Sequence, residues 1–375
     1  MPAGGIQPGE KAGGDKALDA AEPRPPLGVA FDGDLGVRPD AVLAVALLNG
    51  FAARGDARRI SLSVSRPSLT AARLADVLAE FYPTLPLGAG YSTVGMPDGT
   101  PPGGDAPALA RLLSAQGADG APLYETRVSR LLDTADNATL IRNTLLAQHD
   151  GNAVVVLAGA ATGLARLLAL YGARAQIAAK VKLLVVAVGS YPAGKVDPAV
   201  ATDVAAARRL LSGWPTPVVA VGSEVGEAVR YPAAKLEEGL AWSSTHPVLA
   251  ACRALGARDV STAALAAIYH AIQPDAGELG LSEAGTISVL DDGRTRFAVG
   301  AGGRHRYLVV DPARRGALLA AYTALVSAPP APRPVKRGPP MANAEAAPGN
   351  AAAGARPGSP PAGASPAAAP PAVKP

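Results

Sequence analysis

The chain has 375 residues, 49% of them hydrophobic, at a mean hydropathy of +0.18. That is enough apolar surface for a sizeable core and too much for a mostly disordered chain. The formal charge is +4, but between Ala331 and Pro375 stand Arg333, Lys336, Arg337, Arg356 and Lys374 against Glu345 alone. This tail carries the whole excess, and a neutral remainder lacks the electrostatic footprint of a nucleic-acid binder. A single cysteine, Cys252, excludes an intramolecular disulfide and a cysteine-cluster zinc site. No uninterrupted apolar run is long enough for a membrane span.

Residues 1–26 are Gly, Pro and charge without the apolar stretch of a secretory signal, so they read as a disordered segment and the cytoplasm as the default location. Residues 27–327 read as one domain. LGVAFDGD is a buried strand followed by the helix VLAVALLNGFAARG, and RRISLSV a strand followed by the helix TAARLADVLAEFY. A Gly/Pro-rich loop (88–108) leads to a helix around Ala138–Gln148. Then NAVVVLAG, KVKLLVVAVG and TPVVAVGS are strands, separated by the helices GLARLLALYG and VATDVAAARRLLSG. Continuous Val/Leu strands each followed by a helix predict an α/β fold: a mainly parallel open sheet with a Rossmann-like core and helices on both faces. Aromatics supply only 4%, so small and aliphatic side chains must fill the core.

Near the end, TISVL-DDG-RTRFAVG-AGG-RHRYLVV alternates with period two around turn residues, which predicts small antiparallel hairpins turning at Asp291-Asp292-Gly293. Arg304, His305 and Arg306 read as an exposed strand edge. The helix RRGALLAAYTALVS closes the domain. Residues 328–375 are Pro, Ala and Gly with almost no large apolar residue, and read as a disordered tail.

Ligands of such sheets bind beyond the carboxyl ends of the strands. There the first strand ends in Asp32-Gly33-Asp34-Leu35-Gly36-Val37-Arg38-Pro39-Asp40. Clustered carboxylates repel and raise one another's pKa unless a cation or a substrate hydroxyl uses them, and hard oxygen ligands at short spacing suit Ca²⁺ or Mg²⁺. The same residues also serve a purely structural reading, with Asp40 capping the helix and Asp32 and Asp34 holding the turn. Glu224 and Glu227 follow a later strand end, where Glu224 is placed to line a pocket. Tyr191 is placed to stack on a base, Trp214 to pack beside a strand, and Cys252 to be buried. His270, on a helix, reads as a core or surface residue rather than an acid.

The strand ending in D-x-D-x-G, followed by Asp40 and an Ala/Leu-rich helix, resembles the calcium-binding opening of inosine/uridine-preferring nucleoside hydrolases. NAVVVLAGAATGLARLL, KVKLLVVAVGSY, WPTPVVAVGSEVGEAVRYP and LSEAGTISVLDDGRTRF…GGRHRYLVVDP resemble later segments of a divergent bacterial branch in the same order, across roughly residues 27–327. The resemblance implies an N-ribosidic hydrolase in which Ca²⁺ held by aspartates grips the ribose hydroxyls and activates a water. It also implies a nucleoside or ribose-like ligand and a possible homo-oligomer, with no nucleic-acid or membrane partner. It gives Asp34 the role of metal ligand and Asp32 that of orienting the sugar, while Asp40 takes either the catalytic base position or a metal-ligand position. In the first alignment Ala41 replaces the second ligand; in the second, Pro39 stands where the base belongs.

The remaining family positions hold Gly159 at a carbonyl ligand, Ser65, Arg66 and Ser68 where a sugar-contacting Asn is expected, Asp197-Pro198-Ala199 for Glu-aromatic-Asn, and Ala264 near the last metal aspartate. The resemblance therefore implies a Ca²⁺ site that is weak or absent here, and activity weak or lost. A non-catalytic nucleoside-binding or protein-interaction descendant is the alternative. FDGDLG also mimics the D-x-D loop of haloacid-dehalogenase-like phosphatases, but Gly36 stands where that family carries Thr or Val.

Overall fold

The computed structural model describes residues 25–83, 94–96 and 106–330. Twelve strands form one sheet: β1 (Leu27–Gly33), β2 (Ala57–Val64), β3 (Val94–Met96), β4 (Ala135–Asp136), β5 (Ala153–Ala158), β6 (Val181–Val186), β7 (Ala193–Val196), β8 (Val218–Ala220), β9 (Leu279–Leu281), β10 (Gly285–Val289), β11 (Arg294–Val299) and β12 (His305–Val310). The spatial order is β4-β3-β2-β1-β5-β6-β8-β12-β10-β11-β7, with β9 paired to β12 off this path. From β4 to β12 every neighbouring pair is parallel, and beyond β12 the pairs are antiparallel.

Alternation along the strands builds two cores. Val29 and Phe31 of β1, with Val154, Val156 and Ala158 of β5, join one apolar cluster with the helices Pro39–Arg54, Leu69–Phe81, Ala263–Ile272 and Arg315–Val326. Ala30, Ala153, Val155 and Leu157 point the other way, against the helices Asn137–Leu146, Thr162–Ala169, Ala173–Lys180 and Val204–Gly213. The expected parallel sheet covered on both faces is thus the observed one. Small residues set the packing distance: a Cβ on Gly50 would run into the backbone of Leu325, so the helices Pro39–Arg54 and Arg315–Val326 touch main chain to main chain.

The β10–β11 hairpin turns at Leu290–Arg294, with Gly293 at φ 83°. The expected exposed edge at Arg304–Arg306 is different in the structure. β12 lies inside the sheet, parallel to β8 and antiparallel to β10, and His305 is buried, its Nδ1 accepting from the Ile287 N–H at 2.9 Å. Arg306 alternates outward.

The helix expected over VATDVAAARRLLSG is two, Pro198–Thr202 and Val204–Gly213, because the Asp203 side chain caps the second by accepting from the Ala206 N–H. Trp214 is buried and donates Nε1–H to Thr216 Oγ1 at 2.8 Å, and Cys252 is buried as expected. Among the described residues no helix is long and apolar enough to cross a membrane. Residues 1–24 and 331–375, most of the two expected disordered segments, and much of the loop 88–108 lie outside the described residues.

Candidate functional site

The chain order reverses between β1 and β5, and the carboxyl ends of the strands around this switch point open on one cavity of about 320 Å³. Val37 and Arg38 reach it from the end of β1, Arg66 from β2, Asp197 from β7, Ser223 from β8, and Ser261 from the segment before the helix Ala263–Ile272. A larger cleft of about 640 Å³ flanks the helix Leu69–Phe81. Two of its acidic groups are engaged: Asp76 accepts from Thr126 and Arg127, and Glu80 pairs with Arg127. The smaller cavity lies at the strand ends and is lined by Asp197 and by Arg38 and Arg66, the arginines paired with Asp40 and Asp34, and it is the candidate site.

Asp32, near the end of β1, is fully buried, with Oδ1 accepting from Ser63 Oγ at 2.9 Å. Burial pushes its carboxyl up to about 7; hydrogen bonds from Ser63 and Asn137 oppose the rise and the Asp34 charge adds to it. Asp34 follows on the turn, its N–H donating to the Ala158 carbonyl at 3.0 Å. Close approach makes this join possible, since a Cβ on Gly159 would collide with Ser65 and press on the Asp34 nitrogen.

Each remaining aspartate of the loop has an arginine. Arg66 Nε lies 2.7 Å from Asp34 Oδ2. Burial raises the Asp34 carboxyl pKa, and the charges of Arg66 and Arg38 hold the rise back. Arg38 grips Asp40 through two parallel contacts, Nε to Oδ1 at 3.0 Å and Nη2 to Oδ2 at 2.6 Å, and its Nη1 donates to the Ala187 carbonyl at 3.0 Å. Asp40 Oδ2 also accepts from the Ala264 N–H at 3.2 Å. Asp40 therefore caps a helix, but the later one, Ala263–Ile272, and not its own.

Of the other predicted residues, Asp197 is held by three backbone N–H groups: Oδ2 accepts from Gly189 N–H, and Oδ1 from those of Ala199 and Val200. Glu224 Oε1 accepts from the Tyr191 N–H at 3.2 Å. The Tyr191 ring is buried and stacked on Tyr307, centroids 5.5 Å apart, and neither Tyr191 nor Glu224 lines the cavity. His270 is buried, and desolvation pushes its pKa down to about 4. Sequence reasoning singled out the aspartates and gave Arg38 and Arg66 no role. The available signal was their position: two cations at the same strand ends as three anions.

These residues do not fit a calcium ion. Ca²⁺ takes about six to eight oxygen ligands, and among the described residues no group of three or more His, Cys, Asp or Glu converges to hold a metal. Asp34 and Asp40, the candidate ligands, face guanidiniums instead, and Ala264 contributes only its N–H.

No family model and no curated protein sequence matches this chain. Solved structures do. It is similar to an inosine-guanosine nucleoside hydrolase (15% identity, TM-score 0.58, covering 80% of this chain and 98% of that one). A plant nucleoside hydrolase, PpNRh1, is 19% identical at a TM-score of 0.56, over 81% of this chain and all of that one. The type III effector XopQ, solved with adenosine diphosphate ribose, is 18% identical at a TM-score of 0.53, over 81% and 94%. The fold is therefore that of the nucleoside hydrolases.

Proposed function

We propose that this chain binds a nucleoside or another ribose-bearing small molecule in the cavity at the strand ends, and that hydrolysis of an N-ribosidic bond there is weak or lost. One observation carries the reading: both carboxylates that the family resemblance assigns to metal or base are taken up by arginines. A general base needs an oxygen free to accept a proton from water, and both oxygens of Asp40 are already accepting. Asp40 thus acts as the structural tie between the β1 loop and the helix Ala263–Ile272. Tyr191 and Glu224 brace one another behind the site, and Asp32 supports the floor beneath the ribose position. The cavity's size and position suit a small ligand, and neighbours of this fold act on nucleosides or hold ADP-ribose.

Titration with adenosine and inosine, alongside turnover of p-nitrophenyl riboside, tests this. The expected result is saturable nucleoside binding, with hydrolysis about 10²–10⁴-fold below that of an enzyme with a free base and indifferent to EDTA. Brisk turnover that is abolished by chelator and by Asp34→Ala overturns the loss of hydrolysis. Failure of both nucleosides to bind overturns the pocket.

A further inference from the structure

The count of donors and acceptors around the cavity is lopsided. Arginine carries five N–H donors and no acceptor. Arg38 uses three of them, on Asp40 and Ala187. Arg66 meets Asp34 through Nε, and its Nη groups have no partner among the described residues. Both side chains line the cavity and are about one-fifth exposed, 23% and 21%. The nearby carboxylates are engaged, Asp34 with Arg66, Asp40 with Arg38 and Ala264, and Asp197 with three backbone N–H groups, while the lining hydroxyls of Ser223 and Ser261 can donate as well as accept. A site that grips sugar hydroxyls through carboxylates needs those carboxylates free. Here the unspent capacity is guanidinium N–H, which pairs best with the two oxygens of a phosphate or carboxylate.

We propose that Arg38 and Arg66 stand in place of a bound cation, balancing Asp34 and Asp40 and offering their remaining N–H donors to an oxyanion on the ligand, so that the site works without metal. This rests on the ribose-pocket reading for the rest of the ligand. Because Asp34 and Asp40 balance the two arginines and Asp197 lines the same cavity, an incoming oxyanion meets no excess positive charge. Directed hydrogen bonds draw it in, and the salt dependence is correspondingly shallow.

Calorimetric titration of the full chain in EDTA with ribose, ribose 5-phosphate, ribonate and inorganic phosphate tests the proposal. An oxyanion-bearing sugar is expected to bind about ten-fold or more tighter than ribose, with the phosphate and carboxylate arms separating the two sources. Arg66→Gln is expected to erase that preference, Arg66→Lys to retain part of it, and added Ca²⁺ to change nothing. Thermal unfolding of each variant confirms that it is folded; if Arg66→Gln is not, Arg66→Lys alone must still lower the preference. Equal binding of ribose and ribose 5-phosphate by the wild type overturns the inference and leaves the ribose pocket standing, as does an undiminished preference in the folded variants or a requirement for Ca²⁺. Binding of inorganic phosphate that Arg66→Gln abolishes, without any sugar binding, supports the arginine role and removes the ribose reading. No binding by any of the four removes both.

Discussion

Buried charge at the β1 loop is organised as pairs, and pairs are asymmetric in their energetics. Replacing both partners by apolar groups is often neutral, whereas removing one strands the other in a low-dielectric site. Arg38→Ala leaves Asp40, 4% exposed, with only the Ala264 N–H, and is expected to lower unfolding free energy by about 3 kcal/mol. The double replacement Arg38→Ala/Asp40→Ala should recover part of that loss in urea titrations. Asp32 predicts a pH dependence of the opposite kind to an ordinary ion-paired carboxylate. Its folded pKa, raised to about 7 by burial, lies above the unfolded value, so the folded state binds the extra proton. Its stabilising contribution is full below about pH 4 and is lost as pH rises toward and past 7. Asp32→Asn should therefore raise the melting temperature at pH 8 and leave it nearly unchanged at pH 4. In the sequence the aspartates of this loop were conspicuous because like charges cluster at a strand end. What neutralises them was not, because Arg66 is 32 residues beyond Asp34, and pairing across that distance depends on how β1 and β2 align.

At the scale of elements, the central parallel strands β5, β6 and β8 were legible because they are Val/Leu-rich runs, β5 being buried along its whole length, whereas the short parallel strands β3 and β4 were not. Elements with weak apolar patterns were less so. The helix Ala173–Lys180 buries only Ala173 and Ile177, too little for periodicity to register. The placement of β12 was misread for another reason: alternation reports which residues of a strand face inward, but not which strands flank it, so His305 looked like an edge residue and is buried between β8 and β10. Where helices meet through glycine, the sequence offers no periodic signal at all. Gly50→Ala places a methyl against the Leu325 backbone and should cost about 1–3 kcal/mol, read as a lower denaturation midpoint. A similar Gly→Ala change at Gly316, which meets nothing within 4 Å, should be close to neutral.

For the whole molecule, the excess positive charge lies beyond residue 330, and every residue lining the cavity precedes it. A chain ending at Pro330 is expected to keep the melting temperature of the full protein and to lose any salt-sensitive retention on heparin. A drop of several degrees would show that the last 45 residues take part in the fold. The domain itself shares its architecture with nucleoside hydrolases, yet the strand ends that would present oxygen ligands present paired ions. A fold fixes where a site lies, and the side chains at that place determine its chemistry. Ca²⁺ titration of the purified full-length chain, followed by calorimetry, tests this most directly. With Asp34 and Asp40 held by internal guanidiniums, no saturable binding is expected through millimolar Ca²⁺; stoichiometric sub-millimolar binding that disappears in Asp34→Asn would contradict it.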